Sequence, residues 1–474
     1  MGPLPKSILA SLPECGAASV EAAYQAALAG DDTKVIVLDD DPTGVQTVHD
    51  VYVYTEWKRE TLREAFTDGN KISFLLTNSR GLTGEETAKL HRQIASRIWE
   101  ISRELDRSTA IISRSDSTLR GHYPLETEVL RETLEEAGAP PFDGEILMPF
   151  FEEGGRYTVD NVHYVASGDL LVPVGETEFA RDKTFGYHSS NLCQWVEEKT
   201  EGVFPASEVT AVSLEEIRSL DYEGIERKLL SLHSFGKMIV NAVCENDVKV
   251  FVTALFRALK KGKRFLYRSA AALAKVMGGV ASRPLLTRQE LVDPDDHNGG
   301  LMIAGSHVRK TTAQIAALHE LEELAFVELN QHLVTDGKAF SREIARVIAE
   351  AEKNIREGRT VAVYTRRERF DLNSGNKENE LRLAVKISDA VTSVVSGLTV
   401  RPRFIIAKGG ITSSEIGTKA LRCRRARVMG QILKGVPVWE TGDESLFGRM
   451  PYVIFPGNVG DDRALRDAVR KLLP

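Results

Sequence analysis

KVIVLDDDPTG, residues 34–44, joins a short apolar, β-branched run to an acidic loop that contains proline and glycine. Such a run predicts a buried strand, and the Asp, Pro and Gly residues after it predict a loop at the strand's carboxyl end. Similar runs follow at residues 72–76, 110–112, 145–148 and 238–243, with helical stretches at 84–103 and 124–137. This alternation predicts a mostly parallel sheet with helices on both faces.

A second alternating series begins after a polar, acidic stretch, TRQELVDPDDHNGG at residues 287–300. Its predicted strands are residues 301–304, 360–364, 403–407 and 452–455, and its predicted helices are 310–324 and 341–357. We therefore predict an α/β protein of two domains, each with a mostly parallel sheet flanked by helices, with the active site in the cleft between them. The predicted divisions are a leader helix region at 1–33, a first domain at 34–286, a linker at 287–300 and a second domain at 301–474.

The composition of the chain argues against several classes of binding partner. The formal net charge of -7 gives no basic footprint for nucleic acid or an anionic membrane. The four cysteines lie far apart, without a C-x-x-C pair, and no His cluster has metal-ligand spacing. The start lacks the apolar core of a signal peptide, and no run of about 18 apolar residues occurs. We expect a reduced, cytoplasmic protein whose ligands are small molecules.

Polar residues collect where the first three predicted strands end, which is where open α/β sheets bind ligands. Arg80 and Arg114 could clamp an acid group, because a guanidinium pairs with a carboxylate through two hydrogen bonds. Asp40, Asp41 and Asp116 could accept a proton from a hydroxyl, and the sequence does not rank them. For any single loop, turn formation and helix capping are the alternative interpretation. The three loops read DDDPTG (39–44), TNSRG (77–81) and SRSDSTLRGH (113–122).

The second domain carries glycine and hydroxyl residues at its strand ends instead. GSH (305–307), KGGITSS (408–414) and PGNVGDD (456–462) follow three of its predicted strands. Glycine lets the backbone approach a ligand, and a helix start with free N–H groups attracts phosphate. An ordinary strand-to-helix turn is the alternative for each loop alone. The chain has no P-loop, no G-x-G-x-x-G after a strand, no kinase H-R-D or D-F-G, and no G-x-S-x-G elbow.

Taken together, the ordered motifs resemble the four-carbon acid sugar kinases. They are VLDDDPTG, TNSRG, RSDSTLRG, GGRYT, AKGGITSSEI and FPGNVGD, which span most of the chain. The resemblance implies an N-terminal domain that binds the acid sugar and a C-terminal domain that binds ATP. The residues that it assigns to the acid sugar are Asp40, Asp41, Arg80, Arg114, Ser115, Asp116 and Ser117, and the flexible turn GGRYT adds Arg156 as a candidate. Those that it assigns to ATP are Ser306, Gly409, Gly410, Ile411, Thr412 and Gly457, and the same glycine loops add Lys408 and Asn458 as candidates.

The expected reaction is transfer of a phosphoryl group from ATP, with Mg2+, to a hydroxyl of a tetronate such as threonate, erythronate or 3-oxo-tetronate. Arg80 and Arg114 would fix the carboxylate, one of the three aspartates would be the base, and Lys408 would neutralise phosphoryl charge. No metal ligands are assigned, and a homodimer is compatible with the sequence. Arg114 and His122 stand where the family commonly has Lys and Asn, which bears on the sugar's stereochemistry and length. A different sugar-acid enzyme, such as an aldolase, isomerase or dehydrogenase, and a sugar-acid sensor are the alternatives.

Overall fold

The computed structural model describes residues 2–14, 16–368, 370, 377–457 and 459–473. Its strands are β1 (Leu4–Pro5), β2 (Lys34–Asp39), β3 (Tyr52–Tyr54), β4 (Ile72–Leu76), β5 (Thr109–Arg114), β6 (Gly144–Met148), β7 (Arg156–Val159), β8 (Val162–Ser167), β9 (Leu170–Pro173), β10 (Thr210–Val212), β11 (Gly236–Val240), β12 (Phe265–Ser269), β13 (Leu301–Ala304), β14 (Ala325–Leu329), β15 (Val361–Thr365), β16 (Ile405–Lys408), β17 (Arg425–Leu433), β18 (Val436–Thr441) and β19 (Pro451–Phe455).

The helices alternate with these strands through most of the chain. They are α1 (Ile8–Ser11), α2 (Ala17–Ala29), α3 (Arg59–Thr67), α4 (Gly84–Glu104), α5 (Leu125–Glu136), α6 (Leu192–Lys199), α7 (Leu214–Arg218), α8 (Tyr222–Ser231), α9 (Glu245–Lys260), α10 (Ala271–Met277), α11 (Arg288–Leu291), α12 (Arg309–Leu318), α13 (Gly337–Arg356), α14 (Lys377–Ser396), α15 (Gly410–Glu415) and α16 (Ala464–Leu472).

The chain divides into two compact units. The first comprises Met1–Thr47 and Glu56–Ala281, and the second comprises Val48–Thr55 and Ser282–Pro474. The predicted α/β class with two mostly parallel sheets is confirmed. The region predicted as a leader belongs to the first unit, because α2 packs on α9 and the Tyr24 hydroxyl donates to the Val276 carbonyl at 2.7 Å. The second unit starts at Ser282 and also takes in residues 48–55, which the sequence assigned to the first domain.

The first unit is built on a parallel sheet with the strand order β10-β11-β6-β12-β5-β2-β4. Every residue of β2, β4 and β6 is buried, as expected for strands covered on both faces. Helices α3, α4 and α5 pack as one group, and α2, α8, α9 and α10 as another. A small antiparallel sheet, β1-β9-β8-β7, adds to this unit. The carboxyl ends of β2, β4, β5 and β12 therefore share one edge.

The second unit has a mixed sheet with the order β3-β17-β18-β19-β16-β13-β15-β14. The strands from β19 to β14 run parallel, whereas β3, β17 and β18 are antiparallel. The segment Val48–Thr55 supplies β3, which pairs with β17, and Asp50 there accepts a hydrogen bond from Arg427 at 3.0 Å. The carboxyl ends of β13, β16 and β19 lie side by side, so their glycine-containing loops meet at one edge.

Most predicted strands match the observed ones within two residues, apart from the run at 238–243, where β11 ends three residues earlier at Val240. Ten strands were not predicted from the sequence: β1, β7, β8, β9, β10 and β12 in the first unit, and β3, β14, β17 and β18 in the second. The run FLYRS at 265–269 has the same apolar character as its neighbours. Its omission matters, because β12 contributes Arg268 to the site.

Candidate functional site

The acidic loop after β2 is held tightly at its base. Asp39 and Asp40 are buried, and the Asp40 N–H donates to the Arg114 carbonyl at 3.2 Å. Gly44 closes the loop, with its N–H donating to the Asp41 carbonyl at 3.0 Å. A Cβ at Gly44 would lie 1.8 Å from Asp39 Oδ2. Glycine is therefore required there for the backbone to pass the Asp39 carboxylate.

Arg80 and Arg114, from the two neighbouring strand ends, converge on these carboxylates. Arg114 Nη1 lies 3.3 Å from Asp39 Oδ1 and 3.9 Å from Asp40 Oδ1. Arg80 forms an ion pair with Asp41, and its Nε lies 4.0 Å from Asp40 Oδ2. The structure thus brings together the two predicted acid clamps and two of the predicted bases.

The third loop joins the same cluster. Asp116 Oδ1 lies 3.4 Å from Arg80 Nη1, and its Oδ2 accepts from Arg120 Nε at 2.7 Å and from the Thr118 hydroxyl. Ser115 donates to Asp40 Oδ2 at 2.6 Å. Ser117 is also buried, and its carbonyl accepts from the His163 ring at 2.8 Å when Nε2 carries the proton.

Burial and ion pairing shift the pKa values of the clustered carboxylates in different directions. Burial raises the pKa of Asp39 to about 7, assisted by Asp40 and Asp41 and opposed by Arg114. Burial also raises the pKa of Asp40, although Arg80 and Arg114 oppose it. Burial would raise the pKa of Asp41 and Asp116 too, but their ion pairs with Arg80 and bonds from Thr43, Arg120 and Thr118 outweigh it and lower both. Of the predicted bases, Asp40 alone has its pKa moved toward neutrality.

One carboxylate oxygen of Asp40 has an ion-pair contact but no hydrogen bond within the described residues. Its Oδ1 is buried and accepts no hydrogen bond from the described part of the chain, whereas Oδ2 is held by Ser115. A buried acceptor of this kind is costly unless a ligand donor satisfies it. Asp40 Oδ1 is thus free to take a hydrogen bond from a hydroxyl.

Arg156, on β7, supplies a cation whose charge is not balanced. It is half-buried and donates to the Gly154 carbonyl, and its guanidinium lies 5.7 Å from the Phe179 ring centroid. Burial lowers its pKa, while Asp116 opposes that effect. It forms no ion pair within the described residues, unlike Arg80, Arg114 and Arg120. An incoming carboxylate would satisfy it.

Sequence reasoning missed the layer that supports this cluster. Arg268 on β12 forms a buried ion pair with Glu126 at 3.0 Å and donates from Nη2 to the Arg120 carbonyl at 3.1 Å. Glu126 also accepts from Ser79 at 2.7 Å and Ser113 at 3.0 Å. These bonds fix the second and third loops to each other. Arg268 was detectable, because it stands at a strand end like the other candidates.

His122, which replaces the family's common Asn, does not enter the cluster through a charged partner. Its Nε2 lies 3.0 Å from the Leu82 carbonyl oxygen, and its ring meets that of Phe185 edge-on at 4.8 Å. Its role here is to hold the end of the third loop.

The second unit contains a cavity of about 390 Å³ at the carboxyl ends of β13 and β16. Its polar side consists of predicted residues, and its other wall is α14, which the sequence reading did not identify. The residues from the predicted loops are Ser306, Gly409, Gly410, Ile411, Thr412 and Gly457. Its volume falls in the range of small-molecule sites.

The helix α14 gives this cavity an apolar surface. Leu383, Ile387 and Val391 all line it, and their spacing of four residues puts them on one helix face. Such a surface suits a flat base, while the opposite loops offer backbone N–H groups. Gly409 has φ of 108°, a conformation that favours glycine, and it immediately precedes α15, whose first N–H groups have no partner within the helix.

One predicted nucleotide residue, Lys408, does not line the cavity. Lys408 is fully buried, and its ammonium donates to the carbonyls of Pro456 at 2.7 Å and Gly457 at 2.9 Å. Burial lowers its pKa to about 7, and nearby Lys310 contributes. Lys408 thus stabilises the Gly457 loop through these two hydrogen bonds and does not line the cavity. Asn458 lies outside the described residues.

The described residues contain no group of three or more His, Cys, Asp or Glu side chains that could hold a metal ion. Nor does any described helix have the length and apolar character needed to cross a membrane.

Comparison with known proteins agrees with the division seen in the fold. A sugar-binding N-terminal domain family matches residues 35–277, and a nucleotide-binding C-terminal domain family matches residues 301–465. A D-erythronate kinase of Heliobacterium modesticaldum (strain ATCC 51547 / Ice1) is 23% identical over 470 residues, covering 93% of this chain and 97% of the kinase.

Two solved structures share the fold. Haemophilus influenzae protein HI1011 superposes with a TM-score of 0.61 at 16% identity, covering 92% of this chain and 100% of its own. A protein of Salmonella typhimurium LT2 gives 0.63 at 14% identity, covering 92% and 99%. With both domain families matched in order over most of its length, the chain belongs to the four-carbon acid sugar kinase family that its motifs resemble.

Proposed function

We propose that this protein is an ATP-dependent kinase that phosphorylates a hydroxyl of a four-carbon acid sugar such as erythronate, threonate or 3-oxo-tetronate, in the cytoplasm. The observation that carries the proposal is the buried Asp40, whose Oδ1 accepts no hydrogen bond within the described residues and lies among arginines at the sheet edge of the sugar-binding unit. The similarity to a D-erythronate kinase supports the choice of acid.

In this proposal Arg156 anchors the substrate carboxylate, because its charge is the one that the cluster leaves unbalanced. Arg80 and Arg114 are already paired with aspartates, so they add positive potential and position the carboxylates. An array of this kind recognises a small acid through charge-assisted hydrogen bonds.

Asp40 is the proposed base. Its Oδ1 takes the proton of the substrate hydroxyl while the hydroxyl oxygen of the substrate bonds to the terminal phosphorus of ATP. ADP leaves with the electrons of the broken P–O bond. A raised pKa suits this role, because proton transfer is most effective when the base titrates near the working pH. Asp41 and Asp116 hold Arg80 and Arg120 in place.

ATP is proposed to bind in the 390 Å³ cavity, with its base on the α14 face and its phosphates along the loops at Gly409 and Gly457. Lys408 keeps the Gly457 loop in place through its two carbonyl bonds. Mg2+ commonly binds phosphate oxygens with few protein ligands, so we assign it to the nucleotide, where it would neutralise phosphate charge.

The test is ADP release, measured with ATP, Mg2+ and a panel of D-threonate, D-erythronate, their isomers and 3-oxo-tetronate. We expect ADP formation that depends on one or more of these acids. ADP formation with none of them would refute the kinase. Acid binding that is indifferent to ATP would then favour a sensor, and consumption of an acid without ATP would favour another sugar-acid enzyme.

Nucleotide placement is tested by Gly457→Asp. A Cβ at Gly457 meets no atom within 4 Å, so the fold accepts the side chain, which would put a negative charge beside the phosphates. We expect ATP binding to fall by at least about a hundredfold, about 2.7 kcal/mol. Gly337→Asp is the matched control, since Gly337 also has open space and does not line the cavity. Unchanged ATP affinity in Gly457→Asp would contradict the placement.

A further inference from the structure

The strands β5 and β12 lie next to each other but pair only along part of their length. Their recorded pairs are Tyr267 with Ile112, Arg268 with Ser113 and Ser269 with Arg114. Toward its amino end β5 pairs with β2 from Lys34–Thr109 onward, and β12 pairs with β6 from Phe265–Gly144 onward. Within the described residues, the sheet is therefore forked at the amino ends of β5 and β12.

A cavity of about 480 Å³ occupies this fork, at the end of the sheet opposite the acid-binding loops. Its apolar surface includes Ile98, Trp99, Phe142 and Phe265. The cavity is larger than the proposed nucleotide cavity, and none of its lining residues belongs to the candidate site. It therefore needs an explanation of its own.

The Tyr267 hydroxyl is an unused donor in this cavity. Tyr267 lines the cavity with a side chain that is fully buried, and its hydroxyl has no hydrogen-bond partner in the described part of the chain. Burial raises its pKa well above the ordinary value, so the hydroxyl stays protonated. Buried polar groups are generally satisfied, and one without a partner indicates a missing ligand or water.

The residues that line the cavity include more cations than anions, although Glu135 and Asp143 lie near Arg264 and favour its charged form. Arg103, Arg107 and Arg264 line the cavity, and none of the three forms an ion pair with a described residue. Arg264 Nη1 is buried without a hydrogen-bond partner, and its guanidinium stacks 4.4 Å from the Phe142 ring centroid. Lys263 is satisfied by Asp143 at 2.8 Å, and Asp106 offsets one charge.

We propose that the fork between β5 and β12 is a second ligand site, which binds an amphipathic anion: a carboxylate or phosphate group carried on a flat apolar body. The anionic head pairs with Arg264 and accepts from the Tyr267 hydroxyl, and the apolar body packs against Trp99 and Phe142. A four-carbon acid sugar does not fit this description, because its body is a chain of hydroxyl groups. The proposal is therefore independent of the kinase reaction.

The experiment is a calorimetric titration of the full chain with phenylphosphate, benzoate, inorganic phosphate and benzyl alcohol. We expect phenylphosphate or benzoate to bind once per chain with a Kd between about 10 µM and 1 mM, and the tighter of the two identifies the head group. Inorganic phosphate and benzyl alcohol should bind at least about tenfold more weakly, since each lacks one half of the recognised chemistry. Inorganic phosphate that binds as tightly as phenylphosphate, or no saturable binding of either anion, would overturn the proposal.

Variants locate the binding. Arg264→Met keeps the stem over Phe142 and should weaken the tighter anion at least tenfold, and Tyr267→Phe should weaken it about threefold or more without loss of stability, because it removes only an unpaired hydroxyl. Arg92→Met, an exposed position on α4 outside the cavity, is the control and should change nothing. Affinity that is unchanged in both test variants would refute the site.

The titration is repeated with saturating D-erythronate and ADP. Affinity that is unchanged supports a separate site, whereas displacement by either would place the anion in the candidate kinase site and refute the proposal. Because no step requires turnover, a failure of the kinase assay leaves this result interpretable.

Discussion

Asp40→Asn replaces the proposed base with an amide of nearly the same shape. The amide can still accept from Ser115, as Asp40 Oδ2 does at 2.6 Å, so the loop geometry should be kept. What is lost is the negative charge, and with it the ability to take a proton from the substrate hydroxyl.

The expected effects on activity and stability have opposite signs. Positioned general bases contribute about 10²- to 10⁴-fold, so kcat should fall by that factor, equivalent to about 3 to 5 kcal/mol in the activation free energy. Burial raises the pKa of Asp40 in the fold, so ionised Asp40 is disfavoured there relative to the unfolded chain. The contribution of Asp40 to the free energy of unfolding is fully present below the pKa that Asp40 has in the unfolded chain. It is lost as pH rises through the higher pKa of the folded state. The amide should therefore be at least as stable as wild type, with its advantage larger at pH 8 than at pH 5.

Asp41→Asn, one residue away, is the matched control because its pKa is shifted the other way. Asp41 pairs with Arg80, and its lowered pKa means that its charge stabilises the fold above the unfolded pKa. This variant should lose stability at pH 8 and lose less kcat than Asp40→Asn. The assays are ADP release under saturating substrates and urea unfolding at the two pH values.

Two outcomes would refute the reasoning. If Asp40→Asn keeps more than about a tenth of wild-type kcat, which is less than 1.4 kcal/mol in activation free energy, Asp40 is not the base. If it is markedly less stable than wild type at pH 8, the ion pairs with Arg80 and Arg114 outweigh the burial of its charge.

Three further variants test the cluster and the fold. Ser115→Ala removes the bond that stabilises ionised Asp40, so the acidic limb of the kcat/KM profile should move to higher pH; a limb that stays in place would contradict the role of that bond. Arg156→Met should raise KM for the acid by about ten- to a hundredfold, the loss of a charge-assisted bond of about 1.5 to 3 kcal/mol, with KM for ATP unchanged; equal effects on both would argue against a carboxylate anchor. Lys237→Met leaves Glu145, its fully buried partner at 2.6 Å, unpaired and should lower the free energy of unfolding by about 3 to 5 kcal/mol. Combining it with Glu145→Leu should restore most of that loss in urea unfolding, and a single variant as stable as wild type would refute the argument.

The parallel cores of both units could be predicted from sequence because their strands are short, continuous apolar runs. Loops after such runs meet at one edge of a parallel sheet, so Asp40, Arg80 and Arg114 could be grouped without coordinates. The antiparallel strands β17 and β18 were less visible, since RARVMGQIL alternates charged, small and apolar residues in a pattern that no single rule identifies.

The ranking of the carboxylates was beyond the sequence. Asp40 and Asp41 are adjacent and chemically identical, and both lie beside Arg80. The closer ion pair with Arg80 and the hydrogen bonds from Thr43 lower the pKa of Asp41, whereas burial prevails at Asp40. The role of Lys408 was equally hidden. Its position before a glycine loop suggested a phosphate contact, whereas full burial on β16 directs its ammonium to backbone carbonyls.

The strand β3 has a consequence for dividing this protein by expression. A gene fragment that starts at Ser282 would encode the nucleotide-binding unit without residues 48–55, leaving β17 with an unpaired edge that invites aggregation. Grafting those eight residues onto the fragment through a flexible linker would restore that edge. A single cut in the gene therefore does not yield two complete units, because residues 48–55 of the second unit lie within the sequence of the first.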